Sequence, residues 1–318
     1  MLFRQFCLFG SAAVSLLIFP ILLFAQDPTV PSVNEILDGA SRERSLYLSE
    51  FKDLISKETK NLIIYDKNHE VKKRRTVIST FIVYQVGTGD QGIAEFRNVR
   101  SVNGDQVEDT EKRSQDFLND IARSRNSGKE LAKIEKESSR YDEGLTVSGM
   151  TLFKAAILAD NLRPYFEFSR DGNDSINGRA VYVISYRQTK PSPFVSANSK
   201  AAANDGKTTL IFDIGVDEEA NVKVDGRLWI DRNSFQIVKE TRTLKAAPKR
   251  SSEYFPAAET VLDYSDSDFG ILTPTRISFT QFRRSRNGRG EMKDAAVVLE
   301  YGKFERATVE VKVVEINE

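Results

Sequence analysis

The chain has 318 residues, 46 Lys and Arg against 46 Asp and Glu, 40% hydrophobic residues, one histidine and one cysteine. This balance excludes the strongly basic surface that nucleic-acid binding needs, and with Cys7 alone the chain builds no internal disulfide, thiolate zinc cluster or cysteine nucleophile beyond its first turn of sequence. The apolar content suffices for one large domain or two small ones.

Residues 1–25 read as a signal peptide, with Arg4 at the start, an apolar run from Cys7 to Phe24, and a cleavage site between Ala25 and Gln26. An uncleaved membrane anchor stands as the alternative, since the run is long, although Gly10, Ser11, Ser15 and Pro20 interrupt it. Residues 26–318 then form the exported domain. Ser32 and Glu35 have capping-box spacing, and Val33, Ile36, Leu37, Ala40, Tyr47, Leu48, Phe51, Leu54 and Ile55 recur every three or four residues. This predicts one amphipathic helix from Ser32 to Lys57, packed on a sheet.

Leu62–Tyr65, Arg75–Val86 and Ile93–Val102 read as strands, with turns at Asp66–Glu70, at Gly87–Gly92 and at Asn103-Gly104. From Asp109 to Arg140 the charged composition predicts two thin, solvated helices, whereas Met150–Leu158, apolar on every side, predicts a short buried helix. Strands resume at Tyr165–Arg170, turn at Asp171–Asp174, and continue at Arg179–Arg187. Residues 188–207 read as a flexible loop and subdomain border. Thr208–Ile214 follows, then a hairpin over Gly226–Leu244, a loop at Lys245–Pro256, and strands at Glu259–Tyr264, Thr275–Arg283, Ala295–Phe304 and Thr308–Val314. The fold class is α+β: a large curved antiparallel β-sheet, an incomplete β-barrel, wrapped around a few helices.

The residues that carry chemistry are sparse. His69 lies in the turn Lys67–Glu70 and reads as solvated. Asp263, Asp266 and Asp268 resemble a calcium loop but break the EF-hand spacing, so an acidic turn is the plainer reading. The Gly87–Gly92 segment precedes a strand where a phosphate loop needs a helix. Lys72–Arg75 and the Arg283, Arg284, Arg286 and Arg289 cluster solubilise strand ends or touch anionic lipid. No catalytic residue, metal site or cofactor is assigned.

The order of elements, the segment from Gly226 to Leu244 (GRLWIDRNSFQIVKETRTL) and the segment from Tyr264 to Phe282 (YSDSDFGILTPTRISFTQF) resemble the LolA/RseB-like superfamily of exported bacterial proteins. The resemblance implies an apolar cavity and a periplasmic binding protein, without catalysis, whose partner is a lipid or a lipoprotein acyl chain. Two further readings stay open: an envelope-stress regulator or assembly factor that binds another protein, and, ranked last, a carboxylate-based hydrolase. On this reading the protein touches a membrane at its periphery at most. Strand alternation places Tyr182, Ile184 and Tyr186 on one face, as it does Leu210, Phe212 and Ile214, and Leu228 and Ile230. These eight are the candidate cavity wall, with the opening expected near Met150–Leu158. Trp229 points to the opposite side.

Overall fold

The computed structural model describes residues 30–85, 93–108, 112, 136–142, 149–196, 210–211, 221–247, 253–284 and 291–306. The expected signal segment, the Gly87–Gly92 turn, most of the Asp109–Arg140 helices and the Thr308–Val314 strand lie outside them. Helix α1 (Val33–Glu50) starts as the capping box predicts: the Ser32 hydroxyl accepts from the Glu35 amide at 3.3 Å, and the Glu35 carboxylate accepts from the Ser32 amide at 2.7 Å. It ends earlier than expected. The Phe51 amide donates to the Tyr47 carbonyl, and Asp53 takes a left-handed φ of 52°. Leu54 and Ile55 therefore open a strand and leave the helical stripe, because Leu54 pairs with Val83 on one side and Arg306 on the other.

The strands are β1 (Leu54–Tyr65), β2 (Val71–Gln85), β3 (Ile93–Val102), β4 (Asp105–Gln106), β5 (Phe166–Ile176), β6 (Arg179–Gln188), β7 (Val195–Ser196), β8 (Leu210–Ile211), β9 (Asn221–Asp231), β10 (Ile237–Ala247), β11 (Phe255–Asp266), β12 (Leu272–Arg284), β13 (Glu291–Tyr301) and β14 (Glu305–Arg306). All but β7 and β8 belong to one 12-stranded sheet in the order β4-β3-β2-β1-β13-β12-β11-β10-β9-β6-β5, with β14 also on β1. Its pairings are antiparallel. The β1–β13 pairing, Glu58 opposite Tyr301 through Ile64 opposite Ala295, joins the first and last meanders. The sheet stays open, ending at β4 and β5, as an incomplete barrel does.

Several boundaries differ from expectation. Asp171–Asp174 makes no turn: β5 runs through it with a bulge between Arg170 and Gly172, and the chain reverses at Asn177-Gly178, whose φ values of 50° and 80° suit a tight hairpin turn. Residues 188–207 are not wholly irregular, since Val195–Ser196 pairs in parallel with Leu210–Ile211. Lys245–Ala247 and Phe255–Pro256, expected in a loop, extend β10 and β11 into one ladder. The Gly226–Leu244 hairpin forms as read, with the Asp231 carboxylate accepting from the amides of Asn233 and Ser234, both at 2.9 Å.

Helix α1 lies on the inner face of this sheet. Gly39 makes that possible, because a Cβ there would sit 2.6 Å from the ring of Phe235, the residue that closes the β9–β10 turn at a φ of 58°. Ile36, Leu37, Ala40, Tyr47 and Phe51 are buried against inward residues of the strands in one large core. A smaller cluster of Ile82, Tyr84, Ala94 and Phe96, with Ile55 against it, occupies the outer face.

Candidate functional site

The segment expected as the Met150–Leu158 helix is instead a chain of short 3-10 turns, Met150–Phe153, Ala156–Leu158 and Arg163–Tyr165. Gly149 and Ala155 take positive φ of 76° and 43°, so no α-helix passes through them. The segment is buried, as predicted, and side chains of the surrounding elements satisfy its backbone. Glu95 accepts from the amides of Gly149 and Thr151 at 2.8 and 2.9 Å and from the Thr151 hydroxyl at 2.6 Å. Glu240 accepts from the Ala155 amide at 2.7 Å, and Arg242 donates to the Phe153 carbonyl. From α1, Tyr47 donates to the Thr151 carbonyl at 2.8 Å and Arg44 to the Lys154 carbonyl at 3.2 Å.

These contacts rest on two ionic clusters on the inner face. Arg97 lies between Glu58, at 2.8 Å, and Glu95, at 3.0 Å, with all three nearly inaccessible. Burial pulls against the Arg97 charge, but Glu58 and Glu95 together outweigh it and hold its pKa well above the ordinary arginine value. Arg242 pairs with Glu240 at 2.5 Å in the same way, its pKa also raised by Glu240 against the pull of burial. Beside them Lys60 meets Asp142 at 2.6 Å.

Among the described residues Lys154 has no such carboxylate in contact. Its Nζ donates to the Leu272 carbonyl at 2.8 Å and sits 4.4 and 4.2 Å from the ring centres of Tyr47 and Tyr264. Burial lowers its pKa from 10.5 to about 7, with Glu240 and Glu43 opposing from a distance. The inward charges were legible in principle: Glu58 and Lys60 alternate with Leu54 and Leu62, and Glu240 and Arg242 with Val238 and Leu244, at positions alternation marks as buried.

Of the predicted wall, Tyr182, Ile184, Tyr186, Leu210, Leu228 and Ile230 are all buried in the main core, 4% exposed or less. Phe212 and Ile214 lie outside the described residues. Tyr186 crosses Gly226, where any Cβ would collide with the tyrosine hydroxyl, and donates to the Thr241 carbonyl at 2.9 Å. Its ring also meets Phe166 edge-on, centroids 5.8 Å apart, with Phe168 6.4 Å away. Those two phenylalanines, with Val33 and Leu37 of α1, wall a cavity of about 460 Å³ that Ser32, Asn34 and Arg163 complete. The Arg163 guanidinium meets Asp38 at 2.6 Å. The cavity lies at the β5 edge by the Arg163–Tyr165 turn; the sequence reading expected the opening beside Met150–Leu158.

The remaining candidates have plain partners. Asp263 faces Lys239 at 3.6 Å, Asp266 pairs with Arg179, and Asp268 meets Lys303 at 2.8 Å, so the acidic turn is tied into three separate ion pairs. His69 is exposed in its turn with a φ of 68°. Arg283 holds the Asp66 carbonyl and Asp294, and Arg284 meets Glu253 at 2.6 Å; Arg286 and Arg289 lie outside the described residues. Trp229 lies on the outer face, its indole N–H donating to Asp174 at 3.3 Å. Among the described residues no helix is long and apolar enough to cross a membrane.

No protein-family model matches the chain, and no curated protein matches it in sequence. Among solved structures it is similar to a DUF1329 family protein from Desulfovibrio piger, at 10% identity over 88% of this chain and 95% of that one, with a TM-score of 0.33. It is similar to a LolA superfamily protein from Nitrosomonas europaea, at 11% identity over 87% and 94%, TM-score 0.30. It is also similar to the Mycobacterium tuberculosis lipoprotein LppX, at 12% identity over 86% and 96%, TM-score 0.26.

Proposed function

We propose that this is an exported binding protein that takes the acyl chain of a lipid or lipoprotein and catalyses no reaction. The observation that carries the reading is the 460 Å³ cavity at the β5 edge, within the range of about 300–1,000 Å³ common to small-molecule sites. Val33, Leu37, Phe166 and Phe168 supply its apolar part, beside Ser32, Asn34 and the Arg163 guanidinium. An acyl chain gains about 0.8 kcal/mol for each methylene it buries. Arg163 already shares its charge with Asp38, so a headgroup adds little and the apolar wall sets the affinity. Behind that wall stand Tyr186 and the buried row of Tyr182, Ile184, Leu228 and Ile230, packed as core.

A fluorescent fatty-acid probe tests this. Binding is expected, with Phe168→Asp weakening it at least tenfold while circular dichroism stays native, and Arg163→Gln weakening it only about twofold. No saturable binding by the wild-type protein, or binding indifferent to Phe168→Asp, overturns the reading.

A further inference from the structure

A second recess lies on the opposite, outer face of the sheet and has a different chemistry. It holds about 510 Å³ over β5, β6, β9 and β10 and is lined by Glu167, Ser169, Ser185, Arg187, Asp225, Arg227, Thr241, Thr243 and Lys245, with Tyr186 and the side-chain-free Gly226 in its floor. The ladder explains this composition: on each strand these are the residues that alternate with the buried ones.

The charges in the recess cancel pair by pair. Arg187 meets Glu167 at 2.7 Å, Arg227 meets Asp171 at 2.9 Å, and Lys245 meets Asp225. Among the described residues no cation of the recess is left over to attract a phosphate or sulfate, and no carboxylate cluster is left over for a metal. Between the pairs stand the hydroxyls of Ser169 and Ser185, 2.8 Å apart, with Ser185 also donating to Asp171 at 2.9 Å, and those of Thr241 and Thr243. Donors and acceptors thus alternate at short spacing along four hydrogen-bonded strands, which fix the backbone that carries them. An uncharged molecule with adjacent hydroxyls matches that array, each pair of its oxygens donating to a carboxylate and accepting from the neighbouring guanidinium or ammonium.

We propose that this outer recess is a binding site for a neutral saccharide, separate from the apolar cavity. Trp229, two residues beyond Arg227 on the same face of β9, is the one tryptophan of the chain, so its fluorescence reports on this face of the sheet.

The test is calorimetric titration of the full chain with maltotetraose and chitotetraose, with Trp229 emission followed in parallel. Saturable heat from either sugar and a matching change in emission are expected. Asp225→Asn and Thr243→Val, both on the solvent side of the sheet, are expected to weaken that binding about tenfold each. Should either variant fail to fold, Ser169→Ala carries the same comparison. No heat with either sugar, binding that the folded variants leave unchanged, or displacement of the sugar by inorganic phosphate each overturns the proposal. None of these results bears on acyl-chain binding, which uses the other face.

Discussion

At the scale of single residues, the protein spends its most buried polar groups on holding one irregular stretch, Gly149 to Ala155, against the sheet. A buried ion pair adds little net stability against an apolar substitute, but removing one partner strands the other charge away from water. Glu240→Gln leaves the Arg242 charge without its partner and weakens the acceptor of the Ala155 amide. A loss of about 3–5 kcal/mol is expected from urea unfolding. Lys154 makes a second prediction, with a definite sign. Burial depresses its pKa to about 7 from 10.5, so between these values the unfolded chain holds a proton that the folded chain has released. Stability therefore rises with pH from about 7 to 10 through this group. The groups around it are Glu240, Glu43, Arg44, Arg242, Tyr47 and Tyr264; burial raises both tyrosines well above 10, so as the unfolded chain begins to lose its phenolic protons near pH 10 they oppose the rise, which is therefore read below about pH 9. Lys154→Met is expected to remove the rise, measured as the urea midpoint from pH 7 to about 9.

At the scale of elements, close approach at one glycine sets how helix and sheet meet. Gly39→Val puts side-chain atoms into the space of the Phe235 ring, and Phe235 is held by its place in the β9–β10 turn. A loss of about 1–3 kcal/mol is expected, seen as a lower thermal midpoint, while a Leu46→Ala change on the exposed side of the same helix is expected to cost under about 0.5 kcal/mol. The elements also show which local signals are decisive. Asn103-Gly104 was legible as a turn because both residues accept positive φ and hydrophobic strands flank them, and both do take it, at 53° and 94°. Asn177-Gly178 carries the same signal but lies close after Asp171–Asp174, a stronger cluster of turn formers that β5 absorbs as a bulge. The helix end was missed for a related reason. Leu54 fits a three-and-four spacing from Phe51 as well as it fits an alternation with Ser56 and Glu58, and only pairing with Val83 and Arg306 chooses between them.

For the whole molecule, the pairing of β1 with β13 makes one sheet of two meanders. The strands beside that seam are hydrogen-bonded on both sides, whereas β4 and β5 pair on one side within the sheet. Hydrogen exchange is expected to be slowest in β1, β13 and β12 and faster by orders of magnitude in β4, read by mass spectrometry of peptides from the native state. Exchange as fast in β13 as in β4 would mean that the two meanders open independently.

The sequence by itself determined the strand alternation, the capped start of α1, the β9–β10 hairpin and the class of fold, because those signals are local: periodicity, capping spacing and turn residues act within a few positions. Of the candidate wall, Tyr182, Ile184, Tyr186, Leu210, Leu228 and Ile230, which alternation puts on one face of their strands, are buried. What only the tertiary structure decided is where that wall meets open space and what fills the rest. The Arg97 and Arg242 clusters that capture the backbone of Gly149–Ala155, the Gly39–Phe235 contact and the cavity between α1 and β5 each join segments dozens to more than a hundred residues apart. Whether an inward glutamate is an error or an anchor depends on the group opposite it, and no local pattern names that group.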